Sequence, residues 1–115
     1  MTPVEKYRAF IKELAEGAKN SCNINLIRKG TFENNKFSFV KELTSVQREQ
    51  LAALLKDERE SAFHYLLALL TWYVDCDGFA LTVDGEVVNY EKHGGGEFHY
   101  DYVTMRDNED WYKGR

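Results

Sequence analysis

The chain has 115 residues, 43% apolar and 30% charged, with a formal net charge of −4. That length predicts a single domain whose core needs no metal or disulfide staple, and that composition excludes wholesale disorder. The charge is uneven: residues 1–44 carry eight basic against five acidic side chains, residues 76–115 four against nine. An acidic C-terminal half opposes counterion release and so excludes a nucleic-acid partner there, and the basic first third is too dilute to serve as one.

The first element is a helix. Thr2-Pro3-Val4-Glu5 reads as an N-cap, a proline at the first helical position and a capping-box glutamate. Val4, Tyr7, Phe10, Ile11, Leu14, Ala15 and Ala18 share one side of the wheel, so the helix faces a core and ends near residues 17–20. Residues 21–43 alternate short apolar clusters with the turn-rich run 29–36, which fits a loose strand pair or an irregular loop, the better reading being a loop with short extended pieces.

A second capping box, Thr44-Ser45-Val46-Gln47, opens a helical pattern without Gly or Pro until Gly78. Leu51, Leu55, Ala62, Leu66, Leu69 and Tyr73 align, and Glu58 falls inside that stripe. A carboxylate there is costly unless paired. The pattern therefore predicts a break or bend near residues 57–61, or a cation brought to Glu58. Beyond Ala62 the helix is apolar almost all round, the mark of a central buried helix. The apolar run 62–74 is too short to span a bilayer.

Asp84-Gly85 between two β-rich runs is the signature of a type I′ hairpin. Two-residue pairing sets Phe79 opposite Tyr90 and Leu81 opposite Val88, a face expected to pack on residues 62–73. The glycines at 94–96 predict a loop, and residues 98–111 suggest another strand and a turn. The fold class expected is α+β: an N-terminal helix, one long or two consecutive central helices, and a C-terminal antiparallel hairpin packed on the buried helix.

No catalytic motif stands out. Asp75-x-Asp77-Gly78 fails as a calcium loop, because the alignment puts Tyr73 and Asp84 at the two outer ligand positions. His93-Gly94-Gly95-Gly96 lacks the G-x-S-x-G elbow that an oxyanion loop serves. His93, Glu97, His99 and Asp101 form a local cluster with ligand chemistry, and on a strand His99 and Asp101 would share a face with which His64 could complete a site. Glu60 and His64, four apart, read as a solvated helical pair, or else line a cleft with the C-terminal tail in which a carboxylate-tuned His64 acts as a base. Cys22 and Cys76 read as reduced, partly buried thiols. With charges at Glu5, Lys6, Arg8, Lys12 and Glu13, residues 1–14 lack the apolar stretch of a signal peptide, so a cytoplasmic protein is expected. No cofactor, metal, nucleic acid or membrane is expected.

Leu43-Thr44-x-x-Gln47-Arg48-Glu49-x-Leu51-Ala52-x-Leu54-Leu55-x-x-Glu58-Arg59 resembles a family of small bacterial proteins of unknown function. So do His64, Leu67-Ala68, Asp84-Gly85, the tail Tyr100-Asp101-Tyr102-Val103-x-x-Arg106 with Trp111, and Tyr7-Arg8-x-Phe10-Ile11. The family's tail ends Trp-Pro, whereas Tyr112 follows Trp111 here. The resemblance carries no activity, but its matching polar residues form a candidate cluster: Glu58, Arg59, His64, Asp101 and Arg106, with Arg106 expected to satisfy Glu58. Tyr100, Tyr102, Trp111 and Tyr112, set among acids, form a candidate contact surface, although core burial of Tyr102 and Trp111 with solvated acids is the better single reading. The functional expectation is a non-enzymatic interaction domain, an adaptor or acidic immunity-type protein, with a protein partner or a second copy of itself. The alternative is a small-molecule- or metal-dependent activity using His64, His99 and Asp101.

Overall fold

The computed structural model describes residues 1–88 and 96–107. In chain order these form α1 (Pro3–Lys19), α2 (Cys22–Lys29), a 3₁₀ segment (Asn35–Glu42), α3 (Ser45–Cys76), β1 (Thr82–Val83), β2 (Glu86–Val87) and α4 (Phe98–Arg106). The architecture is α+β, mostly helical, with a small two-stranded antiparallel sheet.

The capping chemistry sets the starts of α1 and α3. In each, the N-cap threonine accepts from the backbone N–H three residues on, and Glu5 or Gln47 reaches back to the N-cap N–H. Both boundaries follow the sequence pattern. Tyr7, Ile11, Ala15 and Ala18 of α1 are buried, as their spacing requires, while Phe10 at the edge of the stripe is half exposed.

Residues 21–43 are not the expected loop with extended pieces. Ser21 caps α2 by accepting from Ile24 N–H, and Gly30 closes it at φ +76, its N–H bonded to the Ile27 carbonyl. That left-handed terminus is where glycine costs least. Only eight residues long, α2 is marginal alone. It persists because Ile24 and Ile27 are buried with Val40 and Ala52, and Leu43, Leu51 and Phe32 pack around them.

α3 is one helix of 32 residues, without the favoured break. At 1.5 Å per residue it runs about 48 Å, the long dimension of a molecule measuring 50 × 29 × 22 Å. Its inward stripe is not the one the apolar residues suggest. Ala52, Leu67 and Thr71 are buried, whereas Ala62, Leu66 and Leu69 are exposed. The inward stripe runs Ala52, Lys56, Arg59/Glu60, Phe63, Leu67, Leu70/Thr71, Val74, close to helical period. Glu58 points away from it and is exposed, so no carboxylate forces a bend. The helix beyond Ala62 is also not buried all round.

The hairpin has the expected register. Val83 pairs with Glu86, and Val88 N–H donates to the Leu81 carbonyl at 2.8 Å. Asp84 (φ 52) and Gly85 (φ 79) are both left-handed, as a type I′ turn demands. Val88 is buried, and Leu81 and Val83 pack on the cluster of Tyr7, Ile11, Leu67 and Phe98. Lys6 holds the turn to α1 through Asp84 at 2.7 Å. Phe79 departs from expectation: it is exposed and lies against Tyr73, with ring centroids 5.0 Å apart. Its intended partner, Tyr90, lies outside the described residues.

The tail is a helix where a strand was expected. In α4, Phe98 and Tyr102 lie one turn apart, both buried, with Asp101 beside them. Their β-propensity yields to burial against α1 and α3. Tyr7 meets Phe98 at 6.1 Å and Phe63 meets Tyr102 at 6.4 Å, both tilted.

Two neighbours test the helical phase of α3. Leu67→Ala, at 5% exposure, should cost about 2–5 kcal/mol in urea unfolding. Leu66→Ala, at 62% exposure, should cost less than about 1 kcal/mol. Equal losses would contradict the packing described.

Candidate functional site

The polar residues singled out from sequence fall into three places. Arg59 lies between α3 and the end of α1, where its Nε donates to the Gly17 carbonyl at 2.8 Å and its guanidinium covers the Phe63 ring at 5.0 Å. It fixes the crossing of the two helices by satisfying a helix-end acceptor. Glu58, its neighbour in sequence, is exposed.

Arg106 does not meet Glu58. It approaches Glu60 at 3.5 Å and donates to Asp107 at 3.0 Å. Glu60 also pairs with Lys56 at 3.2 Å and is only 14% exposed in its side chain. The carboxylate on the inward stripe of α3 that needs cations is therefore Glu60, two positions on. Neither Glu60 nor His64 sits as a simple solvated pair on a polar face.

His64 projects toward α4, where its ring meets His99 edge-on at 5.3 Å. His99 Nδ1 lies 3.4 Å from Thr71 Oγ1, whose proton is directed to the Leu67 carbonyl at 2.9 Å. Tyr100 stacks on His99 at 4.4 Å. Burial first, then the positive potential of His99 and Arg106, lowers the pKa of His64.

Asp101 is elsewhere. Because α4 is a helix, residues 99 and 101 sit about 200° apart rather than on one strand face. Asp101 is buried, accepting from the Tyr7 hydroxyl at 2.7 Å and from Gly96 N–H at 3.0 Å. His64, His99 and Asp101 do not converge. Among the described residues no group of three or more His, Cys, Asp or Glu could hold a metal. His93 lies outside those residues. Cys22 and Cys76 are both free and exposed rather than partly buried.

The predicted contact surface is also redrawn. Tyr102 is fully buried, its hydroxyl donating to the Glu60 carbonyl at 3.2 Å. Tyr100 is exposed (59%), and Trp111 and Tyr112 lie outside the described residues. The larger surface was hidden in the run read as a buried helix. On the outward side of α3, Tyr65 is 69% and Trp72 55% exposed, with Leu54 and Leu69 on the same side and exposed Leu66 at its margin toward α1. His64 and His99 continue this strip to Tyr100 on α4. A small open pocket of about 120 Å³, lined by Leu14, Phe63, Leu66 and Leu67, flanks it on the α1 side. A signal was available: Ala52, Phe63, Leu67 and Thr71 define a complete inward stripe, and Tyr65, Leu69 and Trp72 fall outside it by helical phase.

The chain belongs to a family of unknown function, DUF6547, whose model matches residues 1–113. No curated protein and no solved structure matches it. Among the described residues no helix is long and apolar enough to cross a membrane.

Tyr7→Phe should cost about 1–3 kcal/mol in chemical unfolding, because it strips a donor from a buried carboxylate. Arg106→Ala should cost about 1 kcal/mol or less, since Glu60 retains Lys56 and no unpaired buried charge is left. For His64 the folded pKa lies below the unfolded value, so the unfolded chain takes the proton first as pH falls. Its contribution is fully present above about pH 6.5 and is lost as pH drops through the lowered folded value. The Tm should therefore fall between pH 7 and pH 5, and His64→Asn should flatten that slope.

Proposed function

We propose that the protein is a non-enzymatic interaction domain that binds another protein through the outward side of α3 and the adjoining Tyr100 of α4. The observation that carries this is the exposure of Tyr65, Leu69 and Trp72 side by side on a helix whose opposite stripe already holds the core. A contiguous exposed apolar surface of this kind marks contact sites, and tyrosine and tryptophan are the side chains that dominate binding energy in them. An adaptor or an immunity-type protein works in this way.

Two exposed thiols without a disulfide suit a reducing compartment, which supports a cytoplasmic protein. A bacterial source rests on the resemblance of the helix and tail motifs. The alternative, a small-molecule- or metal-dependent activity using His64, His99 and Asp101, has less support, because Asp101 turns to Tyr7 and Gly96 instead.

The test compares the wild-type chain with Tyr65→Asp/Trp72→Asp. The double variant should keep its Tm within a few degrees, because neither side chain belongs to the core. In crosslinking from the native cell it should lose a partner that the wild type retains. A partner kept equally by both would refute the reading.

A further inference from the structure

The outward side of α3 differs from its inward side in charge as well as in polarity. Counting by helical phase from the buried stripe, the charged residues on the outward half are Asp57, Glu58 and Asp75, all exposed. The basic residues of the helix lie at its margin or inside, each already engaged. Arg48 donates to the Leu43 carbonyl, Lys56 meets Glu60, and Arg59 caps α1. The apolar strip is therefore bordered by acid alone among the described residues of α3.

A second observation points the same way. α3 ends with Asp75 and the C-cap Asp77, with no basic residue in its last turn. Negative side chains at a helix C-terminus oppose its macrodipole, where lysine or arginine would be favourable. A partner carrying cations would relieve that mismatch at one end and could set a second cation against Glu58, about 25 Å away along the helix.

We propose that the outward side of α3 docks a basic amphipathic helix of a partner protein, with apolar anchors against Tyr65, Leu69 and Trp72 and Lys or Arg against Glu58 and Asp75. This rests on the reading of that surface as a contact site. From Leu54 to Trp72 the strip runs about 27 Å at 1.5 Å per residue, which suits a partner helix of about five turns. A second copy of the chain does not fit the charge. In either orientation it brings acids to acids, which is destabilising, and no outward basic residue to answer them.

The test is a phage-displayed library of 20-residue peptides panned on the full chain, with Tyr65→Asp/Trp72→Asp as counter-selection. Enriched peptides should carry apolar residues at i, i+3 or i+4, and i+7, and a net positive charge. Trp72→Ala should weaken their binding at least 10-fold, and Glu58→Lys/Asp75→Lys several-fold. Raising salt should weaken it as well, because exposed charge pairs are screened. Neutral or acidic peptides enriched on the same surface would overturn the basic-partner inference while leaving the contact surface standing. So would a dimer in sedimentation that Trp72→Asp dissolves. Peptides indifferent to Tyr65 and Trp72, or no enrichment at all, would overturn both.

Discussion

The inward stripe of α3 carries two hydrophobic clusters at once, and the polar junction between them makes that workable. Ala52 serves the cluster with α2 and the 3₁₀ segment, while Leu67 serves the one with α1, α4 and the hairpin. Between these ends the stripe holds Lys56, Arg59 and Glu60, which would be costly in an interior without partners. Each has one: Lys56 and Arg106 flank Glu60, and Arg59 takes the terminal carbonyl of Gly17. Charge satisfaction in mid-helix lets α3 run unbroken through this stretch, and the same contacts tie it to α1 and α4.

That arrangement also explains the outward surface. With α1 on one flank and α4 on the other, the stripe uses less than half the circumference of α3. The remaining arc holds some of the largest apolar side chains in the chain. The site and the core are thus two sides of one helix, divided by phase rather than by position along the sequence.

Much of the fold was legible because local chemistry spoke for it. Thr2, Pro3 and Glu5 fixed one helix start, Thr44 and Gln47 another, and Asp84-Gly85 the turn and register of the hairpin. The failures had a common cause. α2 and α4 are short and owe their helicity to tertiary burial of Ile24, Ile27, Phe98 and Tyr102, which no local pattern announces. The phase of α3 was misread because its apolar residues outnumber its core contacts. Counting hydrophobic positions selects Leu55, Ala62, Leu66 and Leu69, whereas the true stripe contains charges and a threonine. The need for a cation beside a mid-helix carboxylate was real, but it belonged to Glu60 rather than Glu58. His99 and Asp101 parted company once the strand became a helix.

The separation of the two clusters has a consequence for how the molecule comes apart. The α2 end rests on four buried side chains gathered around Ala52, and it joins α1 through only Asn20 and Ser21. Such a unit opens at lower free energy than the larger cluster and can do so while α1, the C-terminal half of α3 and α4 stay assembled. In hydrogen exchange, the amides of α2 and of the first turns of α3 then form one fast-opening unit. The amides around Leu67 and Tyr102 report the slow, global one.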